Sequence, residues 1–202
     1  MANGISLSIL IPTITGREPM FNKLHDFLTK QLYDNGIWNE IEIVSECDNR
    51  EMSIGLKRQK LLNRSYGEFV VFIDDDDLVS DDYCLSIWKV IKQGGIDAIG
   101  FLQQCTFDGG APKSASLSNR WETWAENKGG FNFVRTPFFP TPILRDYAIQ
   151  IGYKDLRYGE DYDFSMRLKE SSLIKNELFI NKVMYYYQYT HAPHEIKYGV
   201  KK

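Results

Sequence analysis

The 202-residue chain is 43% hydrophobic and 25% charged with a formal net charge of −3, the make-up of one soluble globular domain with no overall basic footprint for nucleic acid. No apolar run approaches the roughly 18 residues of a membrane span. Cys47, Cys84 and Cys105 form no CxxC pair, which argues against a disulfide scaffold or structural zinc and for a reducing compartment. The opening MANGISLSIL lacks a basic n-region, so it does not read as a signal peptide, and a cytoplasmic protein is the simplest expectation.

Residues 5–11 form a short apolar run stopped by Pro12, the pattern of a buried strand. The loop TITGREP follows, and residues 20–32 then place Phe21, Leu24, Phe27, Leu28 and Leu32 at helical spacing. IEIVSEC at 41–47 reads as a second strand and SIGLKRQKLLNRSYG at 53–67 as a helix closed by Gly67. Residues 69–73 make a third strand, the most apolar of all. This alternation predicts an α/β fold with a mostly parallel central sheet flanked by helices. Ligands of such sheets bind beyond the carboxyl ends of the strands, so residues 13–17, 46–48 and 74–77 should converge.

Further along, residues 81–95 read as an amphipathic helix and 97–107 as a fourth strand. Residues 108–133 are rich in Gly, Ser, Asn and Trp without a clean period, long for an unstructured connection and therefore mobile or functional. Residues 143–153 predict a short helix, 158–171 a glycine, two acids and a helix, and 178–191 a strand or hairpin, followed by a polar tail. The whole of 1–202 is expected to be a single domain: 5–105 a half ending in the acidic stretch, 106–190 a second half, and 191–202 the tail.

The third strand runs straight into Asp74, Asp75, Asp76 and Asp77. Adjacent like charges repel, and a divalent cation would turn that repulsion into binding energy. Alternate residues of an extended segment point the same way, so Asp74 and Asp76 can reach one ion, and oxygen ligands suit Mg²⁺ or Mn²⁺. The plain alternative is a solvated acidic turn. An EF-hand starting at Asp74 fails, because Leu78, Val79 and Leu85 stand where two ligands and a glycine belong. An aspartyl phosphatase motif is weakened by Leu78 in place of its threonine. In YGEDYDFSMRL (158–168), Glu160 and Asp161 fall in the first turn of a helix, where acids complement the macrodipole and a carboxylate stays ionised as a general base requires. His191 is a candidate further metal ligand, with His194 a weaker one.

Together SILIPTITGRE, EIVSECD, GLKRQKLLNRSYGEFVVFIDDDD and YGEDYDFSMRL resemble the family-2 inverting glycosyltransferases of the GT-A fold, over residues 5 to about 170. The resemblance implies a nucleotide-sugar donor, usually UDP-linked, and inversion at the anomeric carbon. It implies that Thr13 and Arg17 face the nucleotide, that Glu46 and Asp48 contact the base, and that Arg58 lies near base or diphosphate. Asp74 and Asp76 would form the DxD, with Asp75 beside the donor, Asp76 as the direct metal ligand and His191 as a late one. Asp161 would be the catalytic base, with Glu160 helping to set the acceptor site. Between Asp48 and Gly55 the chain is shorter than in the family, and its DSDD is here all aspartate.

The chemistry suits those parts: Mg²⁺ or Mn²⁺ stabilises a departing diphosphate, arginines add to it, and a base takes the acceptor's proton. Acceptor specificity should lie in 108–145, where Trp121, Trp124, Phe131, Phe133, Phe138 and Phe139 either stack on a ligand or pack a lid. Arg120, Lys128, Arg135 and Arg145 add positive charge, so a glycan acceptor is the default and a modified DNA base the minority reading. Rival classes are a nucleotidyltransferase, which would want a more glycine-rich and basic first loop, and a non-catalytic nucleotide- or sugar-binding module.

Overall fold

A computed structural model describes residues 4–190. The first apolar run becomes β1 (Leu7–Ile14), buried over all but its last residue. Pro12 does not stop it. The Leu10 carbonyl accepts from the Ile73 N–H on the β3 side, so Pro12, two residues on, faces the same way. The β3 ladder has already ended at Leu10↔Phe72, so the missing N–H of Pro12 breaks no rung.

The helix α1 (Glu18–Asp34) starts two residues earlier than its apolar spacing suggests, with Pro19 in its first turn, and buries Leu24, Leu28, Gln31 and Leu32. β2 (Ile41–Asp48) pairs in parallel with β1 along its whole length. Ser53 caps α2 (Ile54–Arg64), its hydroxyl accepting from the Leu56 N–H at 3.1 Å. That helix ends before Gly67, which serves closeness instead: a Cβ there would lie 2.5 Å from the Ser8 nitrogen. β3 (Phe69–Phe72) is buried throughout and pairs in parallel with β1. After it come the two-residue β4 (Leu78–Val79), α3 (Tyr83–Ile91) and β5 (Ala98–Phe107).

The segment that showed no period holds three short strands, β6 (Lys113–Leu117), β7 (Ala125–Lys128) and β8 (Phe131–Arg135). β9 (Ile143–Leu144) leads directly into α4 (Arg145–Ile151), then come α5 (Glu160–Ser171) and β10 (Glu177–Tyr189). β10 is one bulged strand rather than a hairpin.

One α/β domain results. Its ten-stranded sheet runs β2-β1-β3-β9-β5-β6-β8-β7, with β10 on β5 and β4. The longest ladders, β1–β2 and β5–β10, are parallel, while β9, β6, β7 and β4 add short antiparallel pairings. Helices α1 and α3 pack together, and α2 packs with α4 and α5. Buried Gln31 joins the first pair, its amide donating to the Ser80 carbonyl at 2.9 Å and accepting from the Cys84 N–H at 3.0 Å. No helix among the described residues is long and apolar enough to cross a membrane.

Register sets the working edge. Ile14↔Asp48 and Leu10↔Phe72 bring the carboxyl ends of β1, β2 and β3 to one side of the sheet. α2 is seated there by Gly55, whose N–H donates to the Leu156 carbonyl at 3.1 Å and whose missing Cβ would lie 1.9 Å from the Lys154 carbonyl oxygen. Gly55→Ala is therefore expected to lower unfolding free energy by about 1–3 kcal/mol in a denaturant titration, by forcing α2 off that loop. An unchanged midpoint would contradict this close approach.

Candidate active site

A cleft of about 570 Å³ opens over that edge, walled on the far side by residues of β5, β6, β8 and the start of α5. Thr13, Arg17, Arg58, Asp74, Asp75, Asp76, Glu160 and Asp161 all line it. Arg58 is its centre. Only 2% of this side chain is exposed, and its Cζ lies 4.2 Å from the Phe139 ring centroid and 5.2 Å from that of Phe72. Nη2 donates to Asp74 at 3.0 Å, and Nε donates to Glu160 at 3.2 Å. Burial opposes the charge on Arg58, but Asp74 and Glu160 outweigh it and hold its pKa above the usual arginine value. Burial likewise raises the pKa of Asp74 and of Glu160, against the pull of Arg58. Arg58 Nη1 is buried without a hydrogen-bond partner among the described residues.

The quartet is a turn and not an extended segment, closed by the Asp77 N–H donating to the Asp74 carbonyl at 3.1 Å. Simple alternation therefore fails, and Asp74, Asp75 and Asp76 all reach the cleft. Arg17 pairs with Asp75 at 2.8 Å and with Asp76 at 2.6 Å, while the Thr13 hydroxyl donates to Asp75 at 2.6 Å. Asp77 turns inward, accepting from the Tyr185 hydroxyl at 2.7 Å and from the Gln188 N–H at 3.1 Å. Tyr185 also accepts from the Asp74 N–H at 3.3 Å, so β10 holds both ends of the turn.

Asp161 enters from α5. Gly159 precedes that helix with φ 74°, a conformation glycine adopts without strain, and puts Glu160 and Asp161 in the first turn. Arg167 pairs with Asp163 at 2.6 Å and donates to the Gly152 carbonyl at 2.7 Å, tying α5 to the end of α4.

Glu46 and Asp48 do not line the cleft. Glu46 pairs with Lys60 at 2.5 Å and Arg64 at 2.6 Å. Asp48 pairs with Lys57 and accepts from the Met52 N–H at 2.7 Å. Opposite charges on α2, facing β2, take up both acids, so these two expected base contacts are occupied within the protein. His191 lies outside the described residues. Trp124, Phe133, Phe138, Phe139 and Arg135 line the cleft. Trp124 is fixed, its Nε1 donating to Ser165 at 3.0 Å and its ring meeting Phe138 and Tyr162 edge-on. Trp121 and Phe131 pack on each other away from it.

The sequence reading missed Lys57, Arg50 and Arg157, which also line the cleft. Lys57 was visible as the neighbour of Arg58. Arg50 carries no such signal: its φ of 65° and its buried Nε, without a hydrogen-bond partner among the described residues, follow from the loop after β2.

Among the described residues no group of three or more His, Cys, Asp or Glu could by itself hold a metal ion. Asp74 and Asp76, each between a quarter and a third exposed, offer a pair of carboxylates to the cleft. One or two carboxylates completed by substrate phosphates and water is the usual arrangement for Mg²⁺, so the donor set fits such an ion.

No protein-family model matches the sequence, and no match to a curated protein was found. Solved structures do match. S. aureus TarS residues 1–349 superposes with a TM-score of 0.62 at 17% identity, covering 91% of this chain and 60% of that one. The same segment with UDP-GlcNAc gives 0.63 at 14% identity, covering 98% and 62%. The catalytic domain of Drosophila β1,4-galactosyltransferase 7 with xylobiose gives 0.57 at 12% identity, covering 90% and 70%. The fold is a glycosyltransferase fold. The chain spans about three fifths of the TarS segment it matches.

Burial pushes the Asp75 carboxyl up to about 6 from an ordinary 3.8, despite Thr13 and Arg17. A raised carboxylate value penalises the folded state fully above about pH 6, and the penalty fades as pH falls toward 3.8. Asp75→Asn, which keeps an acceptor for Thr13, is expected to melt above wild type at pH 8, by up to roughly 3 kcal/mol of stability. Its advantage should vanish near pH 4. A variant less stable at pH 8 would mean that the Arg17 pair outweighs the burial penalty.

Proposed function

We propose that the chain is a metal-assisted, inverting glycosyltransferase that moves a sugar from a nucleoside diphosphate sugar to an acceptor hydroxyl. The observation that carries the reading is the convergence in one cleft of Asp74, Asp75, Asp76, Arg17, Arg58 and Asp161, on a fold shared with TarS, which has been crystallised with UDP and UDP-GlcNAc. That likeness favours a uridine donor. The nucleotidyltransferase and binding-module readings have no comparable observation behind them.

In this reading the nucleoside lies over the ends of β1 and β2, against Thr13 and Ile14, and the diphosphate lies beside Arg17 and the aspartate turn. Asp76 and Asp74 would hold Mg²⁺ or Mn²⁺, which supplies Lewis-acid stabilisation to the departing diphosphate. Arg58 keeps Asp74 and Glu160 in place. Asp161 accepts the proton of the acceptor hydroxyl as its oxygen bonds to the anomeric carbon. The bond from that carbon to the diphosphate breaks on the opposite face, releasing UDP. Glu160, Arg135 and the aromatic wall bound the acceptor side, with a glycan as the default acceptor and a modified nucleic-acid base as the other.

Calorimetric titration of UDP with and without Mn²⁺ tests the donor site. Metal should tighten UDP binding in wild type, and Asp76→Asn should lose that gain. Asp161→Asn should keep UDP affinity and lower kcat by about 10²–10⁴-fold in a sugar-transfer assay. Failure of UDP to bind under any condition would overturn the uridine assignment, and full activity in Asp161→Asn would remove the base.

A further inference from the structure

The three acids of the turn that line the cleft share two cations. Asp74 is tied to Arg58, which lies between two aromatic rings with 2% of its side chain exposed and so has nowhere to go. Asp75 has both oxygens engaged, one by Thr13 and one by Arg17. Asp76 is paired with Arg17 at 2.6 Å and with no other cation among the described residues. Arg17 differs from Arg58 in kind. Its side chain is 21% exposed, no ring among the described residues covers it, and it stands at the head of α1 just after Gly16, whose φ is 90°. It is the cation of this network that solvent reaches and that a change of rotamer can release.

We propose that Arg17 guards the aspartate turn: it keeps a divalent cation off Asp75 and Asp76 until a nucleotide's diphosphate draws the guanidinium away. The inference rests on the donor site proposed above. With Arg17 in place one guanidinium is shared by the two carboxylates and offsets one of their two charges, and a second cation brought to them meets both that pairing and the guanidinium's own charge. A diphosphate offers the planar guanidinium a bidentate anionic partner in exchange. Its move frees Asp76, and the same diphosphate attracts the incoming ion. Metal and nucleotide therefore bind cooperatively, and by linkage each strengthens the other by the same factor. A guarded site also leaves the free enzyme loaded with little metal, so the electrophile is assembled only around a donor.

The test is Mn²⁺ binding to the full chain, read from the free-ion electron paramagnetic resonance signal, with and without UDP. It is made on wild type, Arg17→Gln, Arg17→Lys and Arg17→Gln/Asp76→Asn, each checked by thermal melting. Without nucleotide, Arg17→Gln should bind Mn²⁺ about tenfold more tightly than wild type, and Arg17→Lys, which keeps the charge, should stay near wild type. The factor by which UDP tightens Mn²⁺ should shrink about tenfold in Arg17→Gln, and the double variant should lose the gained affinity. Mn²⁺ binding no tighter in Arg17→Gln, with UDP still promoting it in wild type, would overturn the guard and leave the donor site standing. No Mn²⁺ binding by wild type even with UDP would overturn the donor site itself. Should the variants melt below the assay temperature, equal Mn²⁺ affinity of wild type with and without UDP overturns the guard on its own.

Discussion

Everything in the cleft depends on one buried cation. Arg58 leaves the middle of α2, passes between Phe72 and Phe139, and joins Asp74 at the end of β3 to Glu160 at the start of α5. Two consecutive elements and a third, 102 residues further on, meet on a single guanidinium. Desolvating such a charge is costly, and it is tolerated because two carboxylates and two aromatic faces surround it. Removing one member of a buried pair typically forfeits about 3 to 5 kcal/mol, because the other charge is left uncompensated. The ion pair is thus a joint between the half of the molecule that carries the aspartate turn and the half that carries Asp161.

Around that joint the four aspartates divide their work. Asp77 faces inward and anchors the turn to Tyr185 and Gln188 of β10, and its pKa is driven well above the ordinary value, first by burial and then by Asp74 and Asp76. Asp74 is held by Arg58, Asp75 by Thr13 and Arg17, and Asp76, among the described residues, by Arg17. Holding three acids at one cleft against burial and mutual repulsion is unfavourable to stability. Strain of that kind persists where the charges have a ligand to meet.

The parts of the fold that could be read from the sequence are those whose reason is local. β1, β3 and α2 carry period and burial in their own residues, and the run of β3 into Asp74 marked the edge over which the cleft opens. Gly159 before Glu160 announced the start of α5. What escaped depends on partners distant in the chain. β6, β7 and β8 are short and largely solvent-facing at one end, as in AENK, so no apolar alternation marks them. Pro12 looked like a stop because the early end of the β3 ladder is invisible locally. Glu46 and Asp48 sit at the right strand end, yet Lys57, Lys60 and Arg64 project from α2 to meet them. The left-handed backbone of Arg50 is likewise set by its loop and by no residue pattern.

The central claim is that this cleft receives a nucleoside diphosphate sugar between the aspartate turn and Asp161. A crystal structure of the chain soaked with a UDP-sugar and Mn²⁺ tests it most directly. The account predicts the diphosphate beside Asp76 and Arg17, the base over the ends of β1 and β2, and the sugar between Arg58 and Asp161. A nucleotide bound elsewhere on the surface, with Arg17 still paired to Asp75 and Asp76 in an unchanged cleft, would contradict it.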